Sequence, residues 1–384
     1  MIATIAPPSA PAAETTRVPL SRPSITEDDI AAVVRVLQGP WLSMGPRVRA
    51  FEQAVAAYVG VADAVAVNSG TSGLHMCLAA ADIGPGDEVI TTPFSFVASA
   101  NCVLYQGATP VFADIDPTTL NIDPDQVAAR ITGRTQALIP VDVFGQPAAI
   151  EPLLDIARRH RLLVFQDACE AIGAERNGRR VGAQATAAVF AFYPNKQMTT
   201  GEGGAIVTDN PELSRVLRSL GNQGRDDNGT WMNHVRLGFN YRMDEMSAAL
   251  GLSQLSRINA ILERRARVAG WYTERLAGLA GLEPPVVVPA TTRMSWFVYV
   301  IRLAAHIDRE AVMTGLAADG IPTRPYFNPI HLQPLYRQRF GYQPGDFPVT
   351  ERIARTTLAL PFFTDMTEEQ VDEVCERLQA RIAV

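Results

Sequence analysis

The sequence predicts an α/β protein, with a large domain built on a mostly parallel central sheet and a smaller C-terminal α+β domain. Three observations carry this. Short apolar runs recur at Ala64–Val67, Glu88–Thr92, Pro110–Ala113, Ala137–Val141, Leu162–Phe165, Ala187–Phe192 and Ala205–Val207. Stretches with helical spacing lie between several of them, the pattern of strands buried on both faces. From about Leu282 the texture changes to a Pro/Val-rich link, an isolated strand and two helices.

The 384 residues are enough for two cores. Residues 1–17, rich in Ala, Pro and Thr, read as a disordered tail; 18–255 form the large domain and 256–384 the small one. A hydrophobic share of 47% with 19% charged residues is that of an ordinary globular chain. The net charge of −6, without a Lys/Arg cluster, argues against nucleic-acid and anionic-membrane surfaces. No apolar run approaches the roughly 18 residues that span a bilayer, and the first residues lack the basic start and apolar core of a signal peptide. Four scattered cysteines fit buried thiols, so a cytoplasmic location is expected. Five histidines without ligand spacing predict no bound metal.

In chain order, Thr26 caps a helix carrying Ile30, Val33, Val34 and Leu37 on one face, which Gly39-Pro40 ends. The loop Trp41–Pro46 leads to a second helix with Val48, Phe51, Val55 and Tyr58. After the strand 64–67, Asn68-Ser69-Gly70-Thr71-Ser72-Gly73 stands directly before the helix that begins at Leu74. Free backbone N–H groups and the helix dipole converge at such a point, so it predicts a phosphate site. Further helices are expected at Phe96–Leu104, Asp125–Ile131, Ile150–His160 and Glu212–Leu220, and one long helix runs to about Leu276. Gly221–Thr230 is too polar for a core. Beyond the link, Ser295–Ile301 reads as a strand, Asp308–Asp319 as a helix and Thr323–His331 as an aromatic loop. Glu368–Ile382 closes the chain with Val371, Val374, Cys375 and Leu378 on one face.

In parallel sheets functional groups collect at the carboxyl ends of strands. Asp167 ends one strand, and Lys196 follows the next, 29 positions later (196 − 167). A strand-end carboxylate needs a cation or good donors, either Lys196 itself or a bound cation. Lys196 stands between two buried strands, where an amine becomes a usable nucleophile; a loop lysine with its head in solvent is the competing reading. One ligand uses all the pieces. Pyridoxal 5′-phosphate takes a lysine for its aldehyde, a carboxylate for its ring nitrogen, N–H and hydroxyl donors for its phosphate and an aromatic such as Phe96 for its ring. A nicotinamide site on Gly201-Glu202-Gly203-Gly204 is poorly supported, because that run follows no strand directly and opens no helix.

The same residues carry a resemblance. Ser69-Gly70-Thr71, Gly84-Pro85-Gly86-Asp87-Glu88-Val89, Asp167-Ala168-Cys169-Glu170-Ala171, and Tyr193-Pro194-Asn195-Lys196 through Gly203-Gly204 match the DegT/DnrJ/EryC1/StrS sugar aminotransferases. Gly238–Met243 and His331–Pro334 fit as well, and the similarity spans residues 18–384. It implies the type I, aspartate-aminotransferase-like fold of pyridoxal-phosphate transferases and a homodimer whose active sites draw on both chains. By motif position Lys196 would bond to the cofactor aldehyde and Asp167 would hold the ring nitrogen. Phe96 would cover the ring, and Thr71 and Ser72, with Ser69 and Gly70, would hold the phosphate. Glu170 falls where Gln or His often stands near the ring hydroxyl. Arg242 falls where many members place an Asn that reaches the neighbouring subunit's phosphate, a task Asn240 would share. Ala191 departs from the pattern, since many members carry a phosphate-binding Ser there. Trp41, Ser43, Tyr193 and His331 would line the sugar pocket.

The implied reaction moves an amino group from L-glutamate to a keto sugar nucleotide, a 4-keto-6-deoxy sugar foremost, in aminosugar biosynthesis for polysaccharides or antibiotics. A keto-cyclitol or 3-keto sugar would serve the same motifs. A non-catalytic sensor of this fold would have no need of Lys196 or Asp167.

Overall fold

The computed structural model describes residues 16–226 and 233–382. The expected tail therefore lies almost wholly outside the described residues, as does part of the polar stretch 221–230. The seven apolar runs form one seven-stranded sheet. From edge to edge its strands are Asp63–Val67, Gly204–Thr208, Ala187–Ala191, Leu163–Asp167, Thr135–Ile139, Glu88–Thr91 and Thr109–Phe112. Neighbours are parallel except at Gly204–Thr208, which is antiparallel to both of its partners. The reason is the connection. The chain from Ala191 returns to Gly204 without a crossover helix, and a direct return pairs strands antiparallel. That return segment holds Lys196.

Alternation along the strands fills both faces, because successive side chains point to opposite sides. Val189 and Ile206 pack with Leu74, Cys77, Leu217 and Leu220 from the helices Gly70–Ala80 and Pro211–Gly221. Their neighbours Phe190 and Val207 face Phe51, Val55, Ala248 and Leu262. Burying a side chain such as Phe190 stabilises the fold by about 1.5–3 kcal/mol.

The first helix, Glu27–Leu37, has the expected Thr26 cap, with Asp29 closing the capping box. Asp29 is itself buried and accepts hydrogen bonds from Gln254 and Arg257. The long helix expected up to Leu276 is two helices, Glu245–Ser256 and Ile258–Leu276. The break falls at Arg257 (φ −116°, ψ 15°), whose guanidinium bonds to Ser24 and Asp29. The helix expected from Phe96 opens at Ala98 instead. Ser95 and Ser99 pair their hydroxyls across this turn, and Phe96 stays outside it, 64% exposed.

A second, antiparallel sheet joins Leu282–Glu283, Tyr299–Leu303 and Thr357–Leu360. Its core draws Tyr272, Tyr299, Leu316, Leu358, Val371 and Leu378 from the sheet and from the helices Ile258–Leu276, Arg309–Ala318 and Glu368–Ile382. Val18 is part of this second core. The helices Pro334–Phe340 and Pro348–Thr356 escaped the sequence reading. Each is short and opens on proline, which reads equally as a loop.

The expected strand from Ser295 begins only at Tyr299. Ser295 and Phe297 instead donate their N–H groups to the carbonyls of Gly145 and Phe144, at 3.1 and 3.3 Å. Arg265, fully buried, holds this segment from behind. It donates to the carbonyls of Trp296 (2.6 Å) and Phe297 (2.7 Å) and to Thr364 Oγ1 (3.1 Å). Burial pushes its guanidinium down to about 9, so it stays charged at neutral pH.

Candidate active site

The parallel strands place Asp167 and Lys196 at one sheet edge, and a cavity of about 480 Å³ opens there. Asp167, Glu170 and Lys196 form its polar floor. Ser69, Gly70 and Thr71 enter from one side, and Phe96, Phe297, Tyr326 and Phe327 supply apolar walls. Tyr193, Asn195 and Glu202 also line it.

Each polar group has a defined setting. Asp167 Oδ2 accepts from Ser99 Oγ at 2.9 Å and Oδ1 from the Cys169 N–H at 3.2 Å. Lys196 Nζ lies 3.4 Å from Glu170 Oε1 and 3.8 Å from the centre of the Phe297 ring, with its side chain 13% exposed. It is therefore a pocket lysine, not one with its head in solvent. Glu170 Oε2 accepts from the Phe144 N–H at 2.9 Å. Burial pushes the Glu170 carboxyl above its usual range; Lys196 and the Phe144 N–H oppose this, and the Asp167 charge adds to it.

At the helix N-terminus, Ser69 Oγ caps the Ser72 N–H at 3.0 Å, and Gly73 N–H reaches the Ser69 carbonyl. The Gly70 and Thr71 N–H groups precede the first intrahelical acceptor and border the cavity. Only glycine fits at 70, since a Cβ there would stand 2.7 Å from Cys169 Sγ and 2.8 Å from Ala191 Cβ. Ser72 is buried, its hydroxyl turned to Asn68 Oδ1 at 2.7 Å and its N–H to Ser69 Oγ, so both of its donors are used inside the turn and the expected phosphate role falls to Gly70 and Thr71.

These residues fit pyridoxal 5′-phosphate. A buried carboxylate without a cationic partner among the described residues, a lysine in an aromatic pocket and N–H donors at a helix start are the groups its ring, aldehyde and phosphate require.

Six expected residues do not border this chain's cavity, Ser72 and five from elsewhere in the chain. Trp41 is 59% exposed, and Ser43 bridges Asp244. Asn240 pairs with Asn222, and Arg242 donates to Asn222 Oδ1 at 3.0 Å beside a separate pocket with Arg49, Glu52 and Arg218. His331 needs a correction. It is fully buried, 3.2 Å from Glu351 Oε1 and edge-on to Phe347, and cannot line the sugar pocket of this chain; its loop position had suggested access.

Other residues were missed. Ser99, four positions after Ser95, could have been found from that helical spacing. Phe297 looked like an ordinary strand residue. Gln197 donates to the Glu170 carbonyl (2.6 Å), the Ser295 carbonyl (3.0 Å) and Ser295 Oγ (2.8 Å), tying the lysine loop to both neighbouring segments. Nothing in its sequence context signals this.

Behind the site, Asp142 accepts from the Ala148 N–H and Gln166 Nε2, while its Oδ2 has no partner. Burial pushes this carboxyl from 3.8 to about 7. Between those values the folded protein holds a proton that the unfolded chain does not, so stability falls as pH rises from about 4 to about 7. The contribution is at most ~4 kcal/mol. Asp142→Asn is expected to flatten this window in urea titrations run across pH; an unchanged slope would contradict the assignment.

The family model described as DegT/DnrJ/EryC1/StrS aminotransferase matches residues 23–379. GDP-perosamine synthase of Caulobacter vibrioides is 40% identical over 365 residues, covering 94% of this chain and 97% of the relative. The structure of S. venezuelae DesV in complex with a ketimine intermediate superposes with a TM-score of 0.90 at 36% identity, over 95% of this chain and 98% of the other. The pyridoxal-phosphate form of the sugar aminotransferase Spr1654 from Streptococcus pneumoniae gives 0.90 at 27% identity, over 95% and 98%. With a lysine, a carboxylate and an open helix N-terminus converging on one cavity, the chain belongs to the DegT/DnrJ/EryC1/StrS family of pyridoxal-phosphate-dependent aminotransferases.

Proposed function

We propose that this aminotransferase moves an amino group from L-glutamate to a 4-keto-6-deoxy sugar nucleotide, as part of aminosugar biosynthesis. The observation that carries the reading is the convergence of Lys196, Asp167 and the Gly70–Thr71 N–H groups on one cavity with aromatic walls. The bound cofactor supplies an electron sink for the substrate carbon. In this reading Lys196 is the covalent anchor and, once displaced, the amine that moves the substrate proton. Asp167, oriented by Ser99, faces the ring nitrogen, and Phe96 covers the ring. The apolar surfaces of Phe297, Tyr326 and Phe327 suit a sugar that has lost a hydroxyl.

Charge favours a homodimer with shared sites. Asp167, Glu170 and Glu202 line the cavity against a single cation, Lys196. A phosphate and a nucleotide diphosphate need cations from elsewhere, and a second copy would bring Arg242 with Asn240, Trp41 and Ser43. The test is spectroscopic. Glutamate should bleach the yellow aldehyde form, and a 4-keto-6-deoxy sugar nucleotide should restore it. Restoration only by a keto-cyclitol or a 3-keto sugar would overturn the substrate assignment, and a colourless protein indifferent to glutamate would overturn the activity.

A further inference from the structure

Lys196 is the only lysine among the 384 residues; every other Lys/Arg position holds arginine. Among the described residues its Nζ has one hydrogen-bonding partner, Glu170 Oε1, at the long distance of 3.4 Å. An ammonium carries three N–H bonds, so this contact leaves much of its charge unmet. What it meets next is the face of Phe297, with Nζ 3.8 Å from the ring centre. The negative face of an aromatic ring attracts a cation within about 6 Å, and more strongly out of water. Phe297 is 3% exposed and the Lys196 side chain 13%.

This contact is built into the backbone. Gln197, next to the lysine, donates to the Ser295 carbonyl and to Ser295 Oγ, two residues before the ring. The Phe297 N–H goes to the Phe144 carbonyl, and the Phe297 carbonyl accepts from Arg265. The lysine loop and the ring segment are thus tied to each other, and the ring cannot swing away without breaking these bonds. The other carboxylates on the cavity do not compete for the ammonium. Asp167 is committed to Ser99 and the Cys169 N–H, and Glu202 is exposed to water.

We propose that the face of Phe297 is the resting place of the Lys196 ammonium whenever Nζ is not bonded to carbon, stabilising the proton that Lys196 takes from the substrate. This rests on the reading of Lys196 as the amine that moves the substrate proton. In that step one C–H bond breaks and one N–H bond forms. The carbon keeps the electron pair, with the bound cofactor as the sink. The amine becomes an ammonium, a charge gained beside the ring. The ring therefore favours the product of the step over the neutral amine before it. An aliphatic side chain of similar bulk would fill the wall and leave that charge unmet.

Because the chain holds one lysine, labelling lysine with carbon-13 at Cε gives one NMR signal from the cofactor-free protein. Its protons are expected upfield of those of a water-exposed lysine, shifted by the ring current, and to lose that shift in Phe297→Leu. The electrostatic part is read by replacing Phe297 with phenylalanines carrying one, two and three fluorines, which weaken the negative face and keep the shape. Stopped flow with glutamate then follows the bleaching phase that deuterium at the glutamate α-carbon slows. That phase is expected to slow with each fluorine, by roughly three- to tenfold at three. A wild-type signal at the water-exposed position overturns the proposal. So does a single rate across the fluorine series, which would leave the ring an apolar wall and nothing more. Failure of the underlying reading looks different: borohydride reduction of the loaded wild type would then leave Lys196 unlabelled, overturning both.

Discussion

Lys196→Ala is expected to lose roughly 10⁴-fold or more in turnover with glutamate, since in the proposed function one side chain is both anchor and proton carrier. The protein should remain folded. Lys196 contributes to no core cluster, and the contacts that end with it are the Glu170 pair and the Phe297 face. Noncovalent cofactor binding should persist, because the Asp167 carboxylate and the Gly70–Thr71 N–H groups are untouched. Borohydride should no longer fix the cofactor, and stopped-flow mixing with glutamate should show a proton-transfer step slowed by the same factor. Turnover within tenfold of wild type would sink the assignment of Lys196.

Asp167→Asn is expected to be the next most damaging change. A carboxylate in contact with a cation shifts its ionisation by one to three pKa units. Removing that charge should therefore cut the protonated fraction of the ring nitrogen, and turnover with it, by roughly 10²–10³-fold. The amide keeps an oxygen to accept from Ser99 Oγ, so the fold and the orientation of the residue survive. Steady-state turnover and the absorption spectrum of the loaded variant check this together. Full activity with an unaltered spectrum would show that Asp167 does not face the ring nitrogen.

How much of this was readable in advance depended on range. The strands were legible because apolar runs of strand length punctuated by helices have few other solutions, and all seven fell into one sheet. Asp167, Lys196 and the Ser69–Thr71 turn were legible because strand ends and helix starts are local features. Arg257 illustrates the opposite case. Its side chain bonds to Ser24 and Asp29, more than two hundred residues away, and no helical period announces the break. Phe297 and Ser295 read as strand, yet contacts with Phe144 and Gly145 hold them out of it. His331 looked accessible because its loop is rich in proline and aromatics, but Tyr342 and Phe347, from farther along the chain, enclose it. The unread part of the site is the part made by long-range contact.

The Arg265 clamp has a consequence for how Lys196 is held. Its three acceptors fix the Phe297 segment from the side of the second core, while Glu170 and Lys196 follow strands of the first sheet. The ammonium is thus gripped between an aromatic jaw set by one core and a carboxylate jaw set by the other. The grip depends on the register of the two cores, which the helix Ile258–Leu276 keeps by lending Leu262 to one and Val268 to the other.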